Sequence, residues 1–589
     1  MFHQLKLNFL LVLSMSYCLE SYAASDICTV CDCEWSQTYI YCSSRGLTSV
    51  PQPIPPNVEY LDLSHNDLTE IKPEIFQNMS KLTNLNLGDN NITEINVETF
   101  RHLSSLTKLY LYGNDIKRIE TETFRNLSSL TYLELFENQI TELEVGSFQD
   151  LPSLKTLHLF ENQISELEVG SFQNLPSLET LKLHENNIMK IKAGTFRHLS
   201  SLTTLNLYDN DITELEAGSF QDLPSLKYLN LHGSKIEKIK SGTFQNLSSL
   251  RTLELNENNI TELEAGSFQN LPNLTILNLY ENKIKSIKAR TFLNLSSLKY
   301  IELYNNHITD LDVGSFQNLP GLKTLELHNN NITKIQAGTF LNLSSLTIIN
   351  LYENQITELE AGSFQDLPNL ETLKLYQNNI TNIKAGTFRN LSSLATLELF
   401  NNNITEIEVG SFRNLPSLKT LQLQQNHVKK IKAGTFRNLS SLATLELFNN
   451  DITELEVGSF QNLPSLKTLT LYQNNITNIK AGTFRNLSSL ATLELYQNDI
   501  KELEVGSFQN LPSLKTLQLQ QNNITNIKAG TFRNLSSLTT LELFNNDITE
   551  LEVGSFQNLP SLKTLMLYEN DITNIDAGTF RNLSSLTTL

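Results

Sequence analysis

The segment Leu61, Leu63, Asn66 recurs as Leu133, Leu135, Asn138 and again as Leu541, Leu543, Asn546, and this 24-residue repetition leaves few folds open. The Asn stands at 66, 90, 114 and every twenty-fourth residue to Asn570, in 22 registers without insertion or deletion; only Ser234 departs from it. Ten residues after each register stands a Phe, from Phe76 to Phe580, without exception. The unit reads L-x-x-L-x-L-x-x-N-x-I-x-x-I-x-x-x-x-F-x-x-L-x-x-L. A chain of 589 residues built this way extends in one dimension by stacking coils, because a single core stops growing well before that length.

The x-Leu-x-Leu-x stretch has period two, so its leucines point inward and the residues between them outward. One such strand per coil, stacked on its neighbours, predicts a parallel sheet. The chain must then turn, and the Asn amide can bond turn backbone that burial would otherwise leave unpaired. Coil after coil, those amides form a ladder, and the Phe residues with the Ile pair form a second spine. Ser234, following Gly233, breaks the ladder and marks an expected weak point.

A period of 48 overlies the period of 24. Back segments alternate between a Pro form, as in Phe460-Gln461-Asn462-Leu463-Pro464, and a Ser form, as in Phe484-Arg485-Asn486-Leu487-Ser488. Charge alternates with it at Glu408, Lys432, Glu456, Lys480, Glu504, Lys528 and Glu552, which predicts opposite charges stacked about 5 Å apart as register support. The near-identical blocks suggest internal duplication. Proline discourages a regular helix there, so short 3₁₀ turns and loops are expected on the back.

Residues 1–23 read as a signal peptide: His3 and Lys6, a short apolar run from Phe9 to Leu13, and small residues Ser21 and Ala23 at the cleavage positions. An N-terminal anchor is the competing reading, and the run is too short to span a bilayer. Beyond Cys18 the remaining cysteines, Cys28, Cys31, Cys33 and Cys42, cluster within fifteen residues. Bridging Cys31 to Cys33 is poor geometry. That favours Cys28–Cys33 with Cys31–Cys42 and leaves Cys28–Cys31 with Cys33–Cys42 in reserve; zinc is the remaining alternative. Residues 24–57 form the disulfide-stapled cap, and 58–589 the solenoid of 22 repeats. Leu589 falls inside a coil, so the sequence reads as a fragment.

A net charge of −19 argues against nucleic acid and against docking on an anionic membrane. No metal-ligand cluster, phosphate loop or nucleophile motif is present; lone histidines such as His307 and His427 have no chemistry arranged around them, and neither an enzyme nor a cofactor is expected.

The C-x-x-C-x-C cap, the run Gly46-Leu47-Thr48-Ser49-Val50-Pro51 and the 24-residue unit with its Phe resemble extracellular leucine-rich-repeat proteins, among them variable lymphocyte receptors, Toll-like receptor ectodomains and Slit proteins. The resemblance implies an α/β-class, right-handed leucine-rich-repeat solenoid or horseshoe with its parallel sheet on the concave face. It also implies a protein or glycan partner held there or on a flank, and a receptor ectodomain, secreted or anchored by a missing C-terminal part. A soluble matrix or adhesion scaffold, or a non-catalytic carrier subunit, is the alternative. Those families usually end in a cysteine-bearing cap, which this chain lacks.

The outward strand positions name the candidate contacts. Two residues before each Asn runs a column rich in aromatics: Tyr112, Phe136, Phe160, Tyr208, Tyr280, Tyr304, Tyr352, Tyr376, Phe400, Phe448, Tyr472 and Tyr496, continuing to Phe544 and Tyr568. Four residues before the Asn runs an acidic column that includes Glu134, Glu302, Glu398 and Glu446. Aromatics beside carboxylates on a rigid sheet suit recognition of a protein or glycan, although stacked aromatics also stabilise a sheet by themselves. Of 18 N-x-S/T sequons, Asn78, Asn91, Asn126, Asn246, Asn259, Asn294, Asn342, Asn390, Asn438, Asn486 and Asn534 are expected glycosylation sites.

Overall fold

A computed structural model describes residues 27–589; the expected leader at 1–23 and the first residues of the cap lie outside that range. The chain divides into two compact units, the first ending at Leu274 and the second running from Thr275 to Leu589.

The first unit opens with an antiparallel hairpin, Asp32–Glu34 against Tyr39–Tyr41. Two disulfides, Cys28–Cys33 and Cys31–Cys42, staple it. Tyr39–Tyr41 then pairs in parallel with Tyr60–Asp62, and each later coil adds one three-residue parallel strand as far as Thr252–Glu254. The second unit repeats the pattern from Ile276–Asn278 to Thr564–Met566, always in a register of 24, as in Leu277 against Ile301 and Leu541 against Leu565. Each strand is short because only its central residue and the next alternate one point inward; the Asn turn follows at once. Those leucines, with Ile301 and Ile349 in two coils, are fully buried as far as Leu565, and this alternation sets the face of every outward residue.

The amide ladder is where the spacing places it. Asn402 Nδ2 donates to the carbonyls of Leu399 and Phe400 in its own coil, at 3.1 and 3.3 Å, and to Leu375 of the preceding coil at 3.0 Å. Its Oδ1 accepts the N–H of Ile380 at 3.0 Å. One buried amide thus satisfies backbone groups of two coils. At the cap, Asn66 donates to Cys42 O and accepts from Arg45 N and Leu47 N, so the ladder runs into the disulfide-stapled segment. The Phe spine is continuous within each unit, with buried rings stacked about 6 Å apart, as in Phe100 on Phe124 at 6.3 Å and Phe412 on Phe436 at 5.9 Å.

Ser234 leaves the predicted gap. Its hydroxyl is buried with no hydrogen-bond partner. Ile188 N and Ile236 N, in flanking coils, each donate to a ladder Asn at 3.0 Å, whereas Ser234 offers Ile212 no such oxygen.

A second set of two-residue strands lies beyond the turn, which the one-strand-per-coil reading did not contain. Glu406–Ile407 pairs with Asn382–Ile383, and Lys430–Ile431 with Glu454–Leu455, each joining two coils and then stopping. The 48-residue period therefore has a structural meaning: from Lys190–Ile191 onward, coils are clipped in twos. The carboxylates of the alternating column seal the clip. Glu408 accepts the N–H of Ala385 at 2.9 Å, and Glu456 that of Ala433 at 2.9 Å. The column's lysines consequently pair chiefly on the diagonal rather than straight down the column, Lys432 to Glu406 at 2.8 Å and Lys480 to Glu454 at 3.2 Å. Among the described residues the back carries turns closed by bonds three residues apart, such as Leu418 N to Leu415 O, one 3₁₀ helix at Pro73–Phe76, and no α-helix. No helix there is long and apolar enough to cross a membrane.

Candidate binding face

The outward column two residues before the Asn forms face-to-face aromatic stacks. In the first unit Tyr112, Phe136, Phe160, His184 and Tyr208 follow one another with ring centroids 4.3 to 4.9 Å apart. The spacing equals the strand spacing, so the pleat itself holds the rings in contact. In the second unit Tyr280, Tyr304, His328, Tyr352, Tyr376 and Phe400 stack in one run. Gln424 and Gln520 interrupt the column, leaving Phe448, Tyr472 and Tyr496 in one segment and Phe544 with Tyr568 in another. The tyrosine and phenylalanine rings from Tyr112 to Tyr496 are half-buried. Each ring covers its neighbours' faces and offers the solvent an edge.

Burial holds the phenols protonated. It raises Tyr208 to about 12, with Glu185 adding to the shift. Tyr376 and Tyr472 also rise to about 12, from burial and then from the neighbouring Tyr352 and Tyr496. These hydroxyls are therefore hydrogen-bond donors at any physiological pH.

The acidic column four residues before the Asn lies on one side of the stacks, and its members are half-buried, several of them hydrogen-bonded. Glu134 accepts from the Tyr132 hydroxyl at 2.6 Å and faces His158 at 3.3 Å. Gln422 donates to Glu446 at 3.2 Å, Gln518 to Glu542 at 3.1 Å, and Asn350 to Glu326 at 2.7 Å. Burial raises Glu398 above the usual carboxylate range despite nearby Lys374. It raises Glu494 too, with Glu446 and Glu542 adding repulsion. Glu302 is likewise half-buried in its strand.

A second acidic row escaped the reading of the sequence. Immediately before the ladder Asn stand Glu137, Glu161, Glu185 and Asp209 in four consecutive coils, exposed and on the other side of the stacks. All four have a left-handed backbone, with φ between 50° and 53°. No Lys, Arg or His of the described residues lies within ion-pair distance of any of them; Tyr208 donates to Glu185 at 3.2 Å. Desolvation and then Glu137 and Glu185 raise Glu161. The signal was available: the residue preceding each ladder Asn is acidic in these four registers and mostly Asn or Gln after residue 300.

Asn126, Asn246, Asn294, Asn342, Asn390, Asn438, Asn486 and Asn534 stand exposed on the back, each with a left-handed backbone at φ 63° to 70°. Asn78 and Asn91 are exposed and Asn259 half-exposed. No group of His, Cys, Asp and Glu among the described residues is arranged to hold a metal.

A leucine rich repeat family model matches overlapping stretches from residue 56 to 380, and a BspA-type leucine rich repeat region model matches 369–491 and 470–587. A leucine-rich repeat-containing G-protein coupled receptor 6 of Danio rerio is 41% identical over 59 residues, which make up 10% of this chain and 6% of that receptor. Among solved structures, the Toll–Spatzle complex of Drosophila is similar at 19% identity and TM-score 0.58, covering 88% of this chain and 83% of that one. The PEPR1–AtPEP1 complex is similar at 24% identity and TM-score 0.52, covering 95% and 79%. The plant peptide hormone receptor RGFR1 in complex with RGF2 is similar at 23% identity and TM-score 0.50, covering 94% of each chain. At these identities the likeness concerns the fold.

Proposed function

The chain belongs to the leucine-rich-repeat family, and from that premise we propose that it is an extracellular recognition ectodomain holding a protein or glycan partner on the outward face of its sheet. The observation that carries this reading is the aromatic column. A row of half-buried rings with protonated hydroxyls, fixed by strand pairing, presents contact area that loses little freedom on binding. The disulfide-stapled hairpin supports an oxidising, extracellular setting. The similar solved chains named above are complexes with peptide or protein partners, which agrees with a receptor-type role. Glycans on the back, from Asn246 to Asn534 every 48 residues, would shield that side and leave the sheet face free.

The test is a binding screen of the purified chain against arrayed extracellular proteins and glycans. It is repeated with Phe136→Ala/Phe160→Ala and with Tyr352→Ala/Tyr376→Ala. The reading expects at least one pair to abolish capture while the fold, followed by circular dichroism, persists. Capture that survives both pairs and is lost on altering the back would place recognition elsewhere.

A further inference from the structure

We propose that the first unit's binding face is built for a basic partner: an extended protein segment carrying several Lys or Arg, laid between the Phe136–Tyr208 stack and the row Glu137, Glu161, Glu185, Asp209. The inference rests on the reading of the sheet face as a recognition surface and names the chemistry of what it takes.

Four like charges in neighbouring coils repel, and no cation of the described residues stands within ion-pair distance of them. The left-handed backbone at this position suits Asn better than Glu. In the second unit the same position is an amide in most coils, as at Asn305, Asn329, Gln377 and Asn401, with Glu281 and Glu353 standing singly among them; there Asn329 donates to Asn305 at 2.5 Å and Asn305 to Glu281 at 3.5 Å, contacts between neighbouring coils that two glutamates cannot make. The first unit thus carries carboxylates where an amide would serve the fold better on two counts.

Two further observations in the same patch point to a cationic ligand. Lys182 Nζ already sits over the Phe160 ring, 5.8 Å from its centroid, so these rings receive an ammonium. His184, stacked between Phe160 and Tyr208, is 6% exposed and its Nδ1 has no partner, leaving hydrogen-bonding capacity unused in the middle of the stack. Exposed carboxylates beside ring edges are complementary to Lys and Arg, whose stems cover apolar surface while their heads pair with the acids.

The experiment pans a phage-displayed dodecapeptide library on the full purified chain and remakes the recovered peptides synthetically. The expected result is an excess of Lys and Arg, affinity that falls with added salt, and about tenfold weaker binding to Glu137→Gln/Glu161→Gln/Glu185→Gln, as three exposed pairs should give. Because the triple variant removes repulsion, it should melt no lower than the parent, so lost binding cannot be lost fold. Peptides without basic excess, undiminished binding to the triple variant, or binding that requires added calcium would each overturn the proposal. Peptides lost instead with Tyr352→Ala/Tyr376→Ala would overturn it and leave the sheet-face reading standing. Peptides indifferent to the Gln set and to both aromatic pairs would remove that reading as well.

Discussion

The two units share one backbone plan and weight their charge differently across it, although Glu134 sits within a strand of the first and Glu281 and Glu353 stand singly beside the ladder in the second. In the first, exposed carboxylates lie next to the ladder Asn, at Glu137, Glu161, Glu185 and Asp209, and stand unpaired by cations. In the second, carboxylates such as Glu326, Glu446 and Glu542 lie within the strands, half-buried and bonded to side-chain amides. The outward residues differ in kind as well. Tyr110, Glu134, His158, Lys182, Asn206 and Asn230 succeed one another in the first unit, whereas Gln422, Glu446, Thr470, Glu494, Gln518 and Glu542 nearly alternate in the second. Charge engaged inside the protein steadies a surface; charge left exposed beside aromatics is available to a partner.

That comparison can be broken most forcefully through what the units share. Phe172→Ala and Phe460→Ala should each cost about 3–5 kcal/mol, and hydrogen exchange should show lost protection in the altered coil and its neighbours. Clearly unequal losses would show that the two spines are not equivalent. Exchanging the ladder residue is the next largest effect. Asn402→Ser should destabilise the second unit by about 1–3 kcal/mol, and Ser234→Asn should stabilise the first by a similar amount, both read from denaturant midpoints. An unchanged midpoint for Ser234→Asn would mean that water already satisfies that gap.

Acid should move two local regions in opposite directions, the one around His184 and the one around Glu494. Burial, aided by Lys182 and His158, holds His184 down at about 4. Between pH 6.5 and 4 the unfolded imidazole gains a proton that the folded one refuses. Stability is therefore full above 6.5 and falls by up to about 1.4 kcal/mol per pH unit towards 4. Glu398 and Glu494 are raised, so the folded second unit binds protons before the unfolded chain does, and it gains stability as pH falls from above their folded values towards 4.5. Hydrogen exchange at pH 7 and pH 5, corrected for the intrinsic rate, should show the coils around His184 loosening while those around Glu494 tighten. His184→Phe should abolish the former change. Smallest of all, Glu161→Asn should stabilise by about 0.5 kcal/mol and Asn329→Glu destabilise by a similar amount in thermal melts; equal signs would undo the charge comparison.

Much of this architecture was legible because the repeat has no slip. The Asn, the Phe and the alternating leucines each recur at a spacing that only a stacked coil satisfies, and the aromatic column follows from the strand period alone. Less could be read from groups whose role depends on backbone direction. Glu408 pairs with a backbone N–H rather than with a lysine, a fact set by the clip between Asn382–Ile383 and Glu406–Ile407. The exposed row at Glu137, Glu161 and Glu185 has no period-two partner in the strand, and its left-handed backbone is visible only in the structure. A sequence shows which residue types alternate; it does not show which of two neighbouring acids turns into the sheet and which turns away.

The clip between coils also bears on the gene. Since two coils close on each other through short strands and the next pair repeats the arrangement, a block of 48 residues is a transferable part: adding or deleting one within the second unit would preserve its register, its amide ladder and its Phe spine. Length there is a nearly free variable of unequal recombination, so related loci and alleles should differ by whole multiples of 48 codons. A change of 24 would instead set two like halves side by side and leave one of them unclipped.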